Sequence, residues 1–298
     1  MVAAPLAQAY EACEALARAH YENFPVASML LPRAMRPHVA AVYAFARRAD
    51  DMADEGAAPA AERRVALDAW LRRLHAAVAS SHAVPSSSVV PGAGQADDLM
   101  LAAAAHSIRT LDLPLSLFDD LVSAFAQDTM TTRYHSWIDV LDYCRRSANP
   151  VGRLVLRIAG YRDETLDRSS DALCTALQLT NFWQDFGRDW RAGRLYVPAE
   201  VQSAAGADER QLSMPSMSDA WARALERCVA FTRERFAEGR AVCDGVRGRL
   251  RWELRLTWLG GSRILDLVER DRARLMDHRP ALGAADAPRL LLRAALWN

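Results

Sequence analysis

The stretch Gln178-Leu-Thr-Asn-Phe-Trp-Gln-Asp-Phe-Gly-Arg-Asp189 carries the residue types best suited to chemistry in this chain. Folded as helix, Gln178, Asn181, Asp185 and Asp189 fall at i, i+3, i+7 and i+11 and share one stripe. Two carboxylates one turn apart, with two amides, are hard oxygen donors. Such a set suits Mg²⁺ sharing its coordination shell with phosphate oxygens. Aspartates that are merely solvated, or paired with Arg188 and Arg191, are the plainer alternative. A second stretch weighs against that alternative. Tyr43, Arg47, Asp50 and Asp54 fall at i, i+4, i+7 and i+11, again with carboxylates one turn apart. If the two stripes face each other, they give a cavity with acid clusters on two walls. It could hold several Mg²⁺ ions and, through them, a diphosphate, with arginine and amide donors completing the grip.

The elements that must position these residues read as helices throughout. Residues 5–19 form a first helix, followed by a connector of mixed polar and aromatic residues, His20 to Ser28, that Pro25 interrupts. Pro37 marks a first helical turn, so the Asp50/Asp54 helix should run from about Arg36 to Glu55. Ala60–Ser80 is amphipathic, and about residues 81–96 read as a surface loop with prolines, glycines and a serine run. Helices are expected at 97–110 and 114–129, then one through Trp137, Leu141, Tyr143 and Cys144 after a polar connector holding His135. Asn149-Pro-Val-Gly152 should bend or break the following helix, since Pro150 removes a backbone donor. The second acidic helix is expected at 171–189, leading into an extended strap with Arg191, Arg194 and Tyr196. About residues 202–218 read as a second loop, and 221–246 and 249–277 as helices. Gly260-Gly261 either interrupts the latter or packs closely. Residues 288–298 form a short apolar helix that caps the core or touches membrane, capping being the simpler expectation.

Composition sets the bounds. The chain has 298 residues, 51% of them hydrophobic, rich in Ala and Leu with few β-branched runs, which favours an all-α protein. All 37 basic residues are arginine and are matched by 37 acids, so nothing argues for a general nucleic-acid partner. Five dispersed cysteines (Cys13, Cys144, Cys174, Cys228, Cys243) lack Cys-x-x-Cys spacing and read as reduced cytoplasmic thiols. No stretch reaches the run of ~18 apolar residues that a membrane span needs. A peripheral contact with the inner membrane stays open.

Taken together, the two acidic motifs resemble those of the squalene and phytoene synthase family, the head-to-head prenyl transferases. The likeness runs from about residue 10 to 280. It implies a single-domain isoprenoid-synthase helical bundle, spanning 1–298, around a central cavity with acidic helices on opposite walls. Tyr143 in Asp-Tyr-Cys matches the family's active-site tyrosine, Tyr43 and Arg47 precede the first aspartate as in the family, and Gly152 follows the tyrosine at the family's distance. The departures are specific. Ala148-Asn-Pro-Val-Gly152 replaces Ala-Gly-Thr-Val-Gly, and Gln184 stands where condensing enzymes carry a basic residue. Glu22-Asn-Phe24-Pro-Val-Ala-Ser28 replaces a Ser-x-Ser-Phe lip. These resemble the bacterial hydroxysqualene synthase branch.

That resemblance implies Mg²⁺-assisted ionisation of presqualene diphosphate made by a sister enzyme, with rearrangement and water capture giving hydroxysqualene and diphosphate. Asp50, Asp54, Asn181, Asp185 and Asp189 are the expected metal donors. Tyr43 and Tyr143 join the four aspartates as catalytic candidates. Arg47, Gln178, Asn181, Phe24, Asn149 and Arg194 are expected against substrate, with Arg188 a further donor. The competing reading is a synthase that condenses two prenyl diphosphates to presqualene diphosphate, squalene or phytoene. A non-catalytic assembly protein on the same fold would be expected to have eroded motifs, and here both are intact.

Overall fold

The computed structural model describes residues 4–19, 31–54, 58–80, 93–214 and 216–297. The lip with Phe24 and most of the first loop lie outside them. The described residues are helical. They contain no strand, only an isolated parallel bridge between Arg133 and Leu195. They gather into two compact units, Met1–Met130 with Pro150–Arg162, and Thr131–Asn149 with Asp163–Asn298.

In the first unit α1 (Ala4–Ala19), α2 (Arg36–Asp54), α3 (Ala60–Ala79), α4 (Ala93–Leu111) and α5 (Ser116–Asp128) pack on one another. α2 starts and ends within a residue of the sequence expectation, because Pro37 fits a first turn and costs no hydrogen bond there. Its buried side is alanine-rich (Ala40, Ala41, Ala44, Ala49, Ala53), so neighbouring helices approach closely. Phe45, on the same side, stacks on Trp70 of α3 at 5.5 Å and meets Phe118 of α5 edge-on at 5.3 Å. At the far end Arg63 donates to the carbonyl of Ala53 at 2.7 Å, satisfying one of the last carbonyls of α2. α4 begins at Ala93, four residues before the expected start. Gly92-Ala-Gly-Gln reads as loop by composition, yet the last of it is helical once Leu101 and the alanines after it are buried.

The second unit begins with α6 (Trp137–Ser147), opened by a capping box in which Ser136 and Asp139 exchange hydrogen bonds. The chain breaks at Ala148 and resumes as α7 (Asn149–Ile158), which from Pro150 on belongs to the first unit; the break is as Pro150 requires, with the proline in the first turn. α8 (Glu164–Gln184) starts seven residues earlier than expected, since Asp163 caps it by accepting from the Leu166 amide at 2.9 Å. The acidic helix is also not continuous to residue 189. Asp185 takes a turn conformation (φ −92°, ψ 10°), and α9 (Phe186–Arg191) follows.

The expected second loop is a correction as well. Pro198 opens α10 (Ala199–Ala205), and Asp208 caps a 3₁₀ turn at Glu209–Ser213. Polar small residues there serve as caps, not as flexible chain. α11 (Asp219–Gly239) and α12 (Ala241–Gly245) divide the expected 221–246 helix at Arg240. α13 (Gly248–Asp271) passes through Gly260-Gly261 unbroken. Gly261 is there for close packing, since a Cβ would collide with Leu177 and lie 3.0 Å from Phe236. α14 (Asp286–Leu296) packs on α13, and α8 is the hub on which α11 and α13 both pack. The indole N–H of Trp183, fully buried, donates to Thr232 Oγ1 at 2.9 Å and pins α8 to α11.

Candidate active site

In the first unit Tyr43, Arg47, Asp50 and Asp54 stand along α2 as the spacing predicts. Asp54 is exposed, and the other three are half-buried. Arg47 bridges Asp51 at 2.7 Å and reaches Asp50 at 3.6 Å. Asp51, which spacing alone leaves off the stripe, is therefore this guanidinium's nearer partner. One turn of helix thus carries a cation between carboxylates, a charge pattern suited to an anion and its counter-ions. Arg48, on the next face, is committed elsewhere, bonding Asp97 of α4 at 2.8 Å.

In the second unit the four stripe residues differ in exposure. Gln178, Asn181 and Asp189 are half-buried, and Asp185 is buried. The backbone ladder runs through the turn, from the Asp185 amide to the Asn181 carbonyl and from the Asp189 amide to the Asp185 carbonyl, both 2.8 Å. Asp185 is not paired with Arg188 or Arg191. Its partner is Arg279, 94 residues on, which bonds Asp185 Oδ1 through Nε and Oδ2 through a terminal nitrogen at 3.2 Å. The fork-on-carboxylate arrangement is the strong form of such a pair.

Arg279 arrives on a strap, residues 275–280, that leaves the end of α13 and lies along Gln184–Arg191. Gln184, buried at 7% exposure, donates its side-chain amide to the Pro280 carbonyl at 2.6 Å. Arg191 donates to the carbonyl of Met276. At Gly187 the strap backbone comes so close that a Cβ would sit 2.6 Å from the Met276 carbonyl carbon. Residues 184, 187 and 191 form the next stripe around from Asn181, Asp185 and Asp189. Arg279 is thus engaged with the Asp185 carboxylate, beside a Gln184 that is neutral. Sequence spacing had no way to show this partner.

Tyr143, 5% exposed, belongs to an aromatic cluster that the motifs only partly reveal. Phe182 and Tyr196 stack at 3.7 Å, Tyr134 lies 5.6 Å from Tyr196, and Tyr143 meets Tyr134 at 5.9 Å and Phe182 at 6.0 Å. Four ring faces grouped beside the acidic helix can stabilise passing positive charge. Asn149 is buried and accepts from Thr175 Oγ1 at 3.0 Å, which fixes its amide. Arg194 lies on the strap after α9, its amide bound to the Asp189 carbonyl at 2.8 Å. Phe24 lies outside the described residues. Among the described residues no three His, Cys, Asp or Glu side chains are gathered closely enough to hold a metal unaided. The donors within each unit, carboxylate pairs one turn apart with an amide beside the second, fit Mg²⁺ that takes its remaining ligands from phosphate.

Known proteins resemble the chain on both levels. It is 33% identical over 253 residues to a hydroxysqualene synthase of Sinorhizobium fredii, covering 83% of this chain and 80% of that protein. A hydroxysqualene synthase of Zymomonas mobilis is 38% identical over 62% of this chain and 58% of its own length. A 15-cis-phytoene synthase of Synechococcus elongatus is 26% identical over 90% of this chain and 86% of that protein. Among solved structures, squalene synthase HpnC from Alicyclobacillus acidocaldarius superposes with a TM-score of 0.78 at 39% identity, covering 89% of this chain and 95% of that one. A dehydrosqualene synthase shares the fold at a TM-score of 0.83 and 21% identity, over 98% and 97% of the two chains. With the family profile matched from residue 17 to 286 and both acidic motifs present, the chain belongs to the squalene/phytoene synthase family, enzymes that act on prenyl diphosphates.

Proposed function

We propose that the chain is a hydroxysqualene synthase, a carbon–oxygen lyase that converts presqualene diphosphate and water to hydroxysqualene and diphosphate. The observation that carries this choice is Gln184. Where condensing enzymes place a cation, this chain buries a neutral amide and spends it on the Pro280 carbonyl. Joining two prenyl diphosphates requires a site that answers two highly charged groups, whereas presqualene diphosphate brings one. The names carried by relatives at 32–38% identity support the same reading.

On this reading Asp50, Asp54, Asn181, Asp185 and Asp189 are the residues that would hold Mg²⁺. When bound, the metal neutralises charge growing on the departing diphosphate. Arg47 and Arg194 donate to the diphosphate oxygens, and Gln178 orients them. Tyr143 with Phe182, Tyr134 and Tyr196 lines the path of the carbocation with ring faces and keeps bulk water out. Tyr43, Tyr143 and Asn149 place the water that captures the cation. The reaction couples in sequence to a presqualene diphosphate synthase. No helix among the described residues is long and apolar enough to cross a membrane, which is compatible with a cytoplasmic enzyme working on a lipid substrate.

Purified chain given presqualene diphosphate and Mg²⁺ should yield hydroxysqualene, identified by gas chromatography and mass spectrometry, and Asp50→Asn or Asp185→Asn should abolish turnover. Consumption of farnesyl diphosphate alone would transfer the assignment to a condensing synthase. Full activity in EDTA would remove the metal role.

A further inference from the structure

α14 uses only one of its faces for folding. Leu290 and Ala294 are buried against Leu259, with Leu256, Trp258 and Trp297 around them. The helix runs antiparallel to α13, held by Arg263–Asp286 at 2.9 Å near one end and by Arg255 to the Ala294 carbonyl at 3.3 Å near the other. At about 100° per residue, Leu292 points directly away from that buried seam and Leu296 within about 40° of that direction, while Leu291 lies about 100° round from Leu292 with exposed Ala295 between them. Leu292 and Leu296 are each 61% exposed and Leu291 52%. Arg289 and Arg293, both exposed, flank the leucines on the other side.

Scattered exposed leucines need no explanation, but three within two turns of one helix, edged by cations, are a patch. A helix apolar on both sides with a basic margin is the composition of segments that lie in a membrane interface. A second copy of the chain is the poorer partner. Asp286, the acid of α14, is already paired with Arg263 and its side chain is 15% exposed. Two such faces would meet arginine against arginine.

We propose that the outer face of α14 docks the protein on an anionic lipid surface. Leu291, Leu292 and Leu296 enter the boundary between headgroups and acyl chains, and Arg289 and Arg293 meet lipid phosphates. The proposal stands apart from the reaction assigned above. That reaction only supplies its use, delivery of a water-insoluble substrate and product.

The test uses the full chain with phosphatidylcholine vesicles, with and without phosphatidylglycerol, read by co-flotation. Wild type should float with the anionic vesicles. Leu292→Glu with Leu296→Glu should lose at least tenfold in partitioning while melting at the wild-type temperature. Arg289→Gln with Arg293→Gln should lose roughly thirtyfold at low salt, from about one surface charge's attraction each. Wild type floating no better than the double-glutamate variant overturns the proposal. So does a wild-type dimer, seen in sedimentation velocity, that the glutamates split, since that gives the face to a second copy.

Discussion

Replacing Gly187 with alanine tests the strap over the acidic helix directly. On helix propensity alone the change should help, by up to about 1 kcal/mol. The surroundings reverse the sign. The new Cβ would lie 2.6 Å from the Met276 carbonyl carbon and nearer still to the carbonyl oxygens of Leu275 and Met276, where ordinary contact begins at 3.4 Å. These neighbours are backbone and cannot rotate away, so the strap must retreat by roughly 1 Å to clear the nearest carbonyl oxygen. A retreat of that size takes the Gln184–Pro280 hydrogen bond from 2.6 Å to the limit of bonding and misaligns Arg279 on Asp185. Overpacking costs ~1–3 kcal/mol, and a weakened buried hydrogen bond adds about 1 kcal/mol. Net destabilisation of about 1–3 kcal/mol should lower Tm by roughly 2–4 °C per kcal/mol, measured by thermal denaturation at fixed Mg²⁺. Gly94→Ala is the control. It is helical, nothing lies within 4 Å of the added Cβ, and Tm should hold or rise slightly. If Gly187→Ala melts at or above wild type, the strap is not seated as described and its hold on Asp185 fails with it.

Gln184→Leu leaves the Pro280 carbonyl without its donor and should cost ~1–3 kcal/mol in denaturant unfolding, where a loss under half a kcal/mol would speak against the latch. Arg279→Met strands the buried Asp185 carboxylate; the variant should melt lower, and added Mg²⁺ should raise its Tm more than it raises that of wild type. Burial pushes the Glu253 carboxyl up to about 8, so the folded protein keeps it protonated while the unfolded chain ionises it. Its penalty grows as pH rises from about 4.5 towards 8, and the advantage of Glu253→Gln over wild type should widen across that window in melting experiments. His38 and His106 are both lowered chiefly by burial, His38 further by its neighbour His106, and both bond the Tyr10 hydroxyl. Their neutral forms stabilise the fold above about pH 6.5, and that contribution is lost as pH falls through the lower folded values. Tm should therefore drop on acidification below that point, and less so in His106→Gln.

What the sequence reveals follows from how local each signal is. Pro37, Pro150 and the aspartate spacing act within one or two turns, so α2, the break at Ala148 and both acidic stripes are readable without coordinates. Asp163 as a cap, and the helix at Ala199–Ala205, were hidden because small polar residues read equally as caps and as loop. The turn at Asp185 has no breaker residue at all. It coincides with the strap, a contact made across 94 residues of chain. Arg279 was invisible for the same reason, being one of many arginines until the fold sets it on a carboxylate. Tyr134 likewise gains meaning only from the rings of Tyr143 and Tyr196.

Four of the five thiols are sealed in the interior, and burial keeps Cys13, Cys144, Cys228 and Cys243 protonated, Cys13 and Cys243 with values pushed up to about 12. Alkylating reagents attack thiolates, so in the native protein these positions should stay silent to maleimide while Cys174 alone has partial access. One cysteine placed on the strap, in a Cys174→Ser background, would then carry a single fluorophore and report strap motion without disturbing any other group.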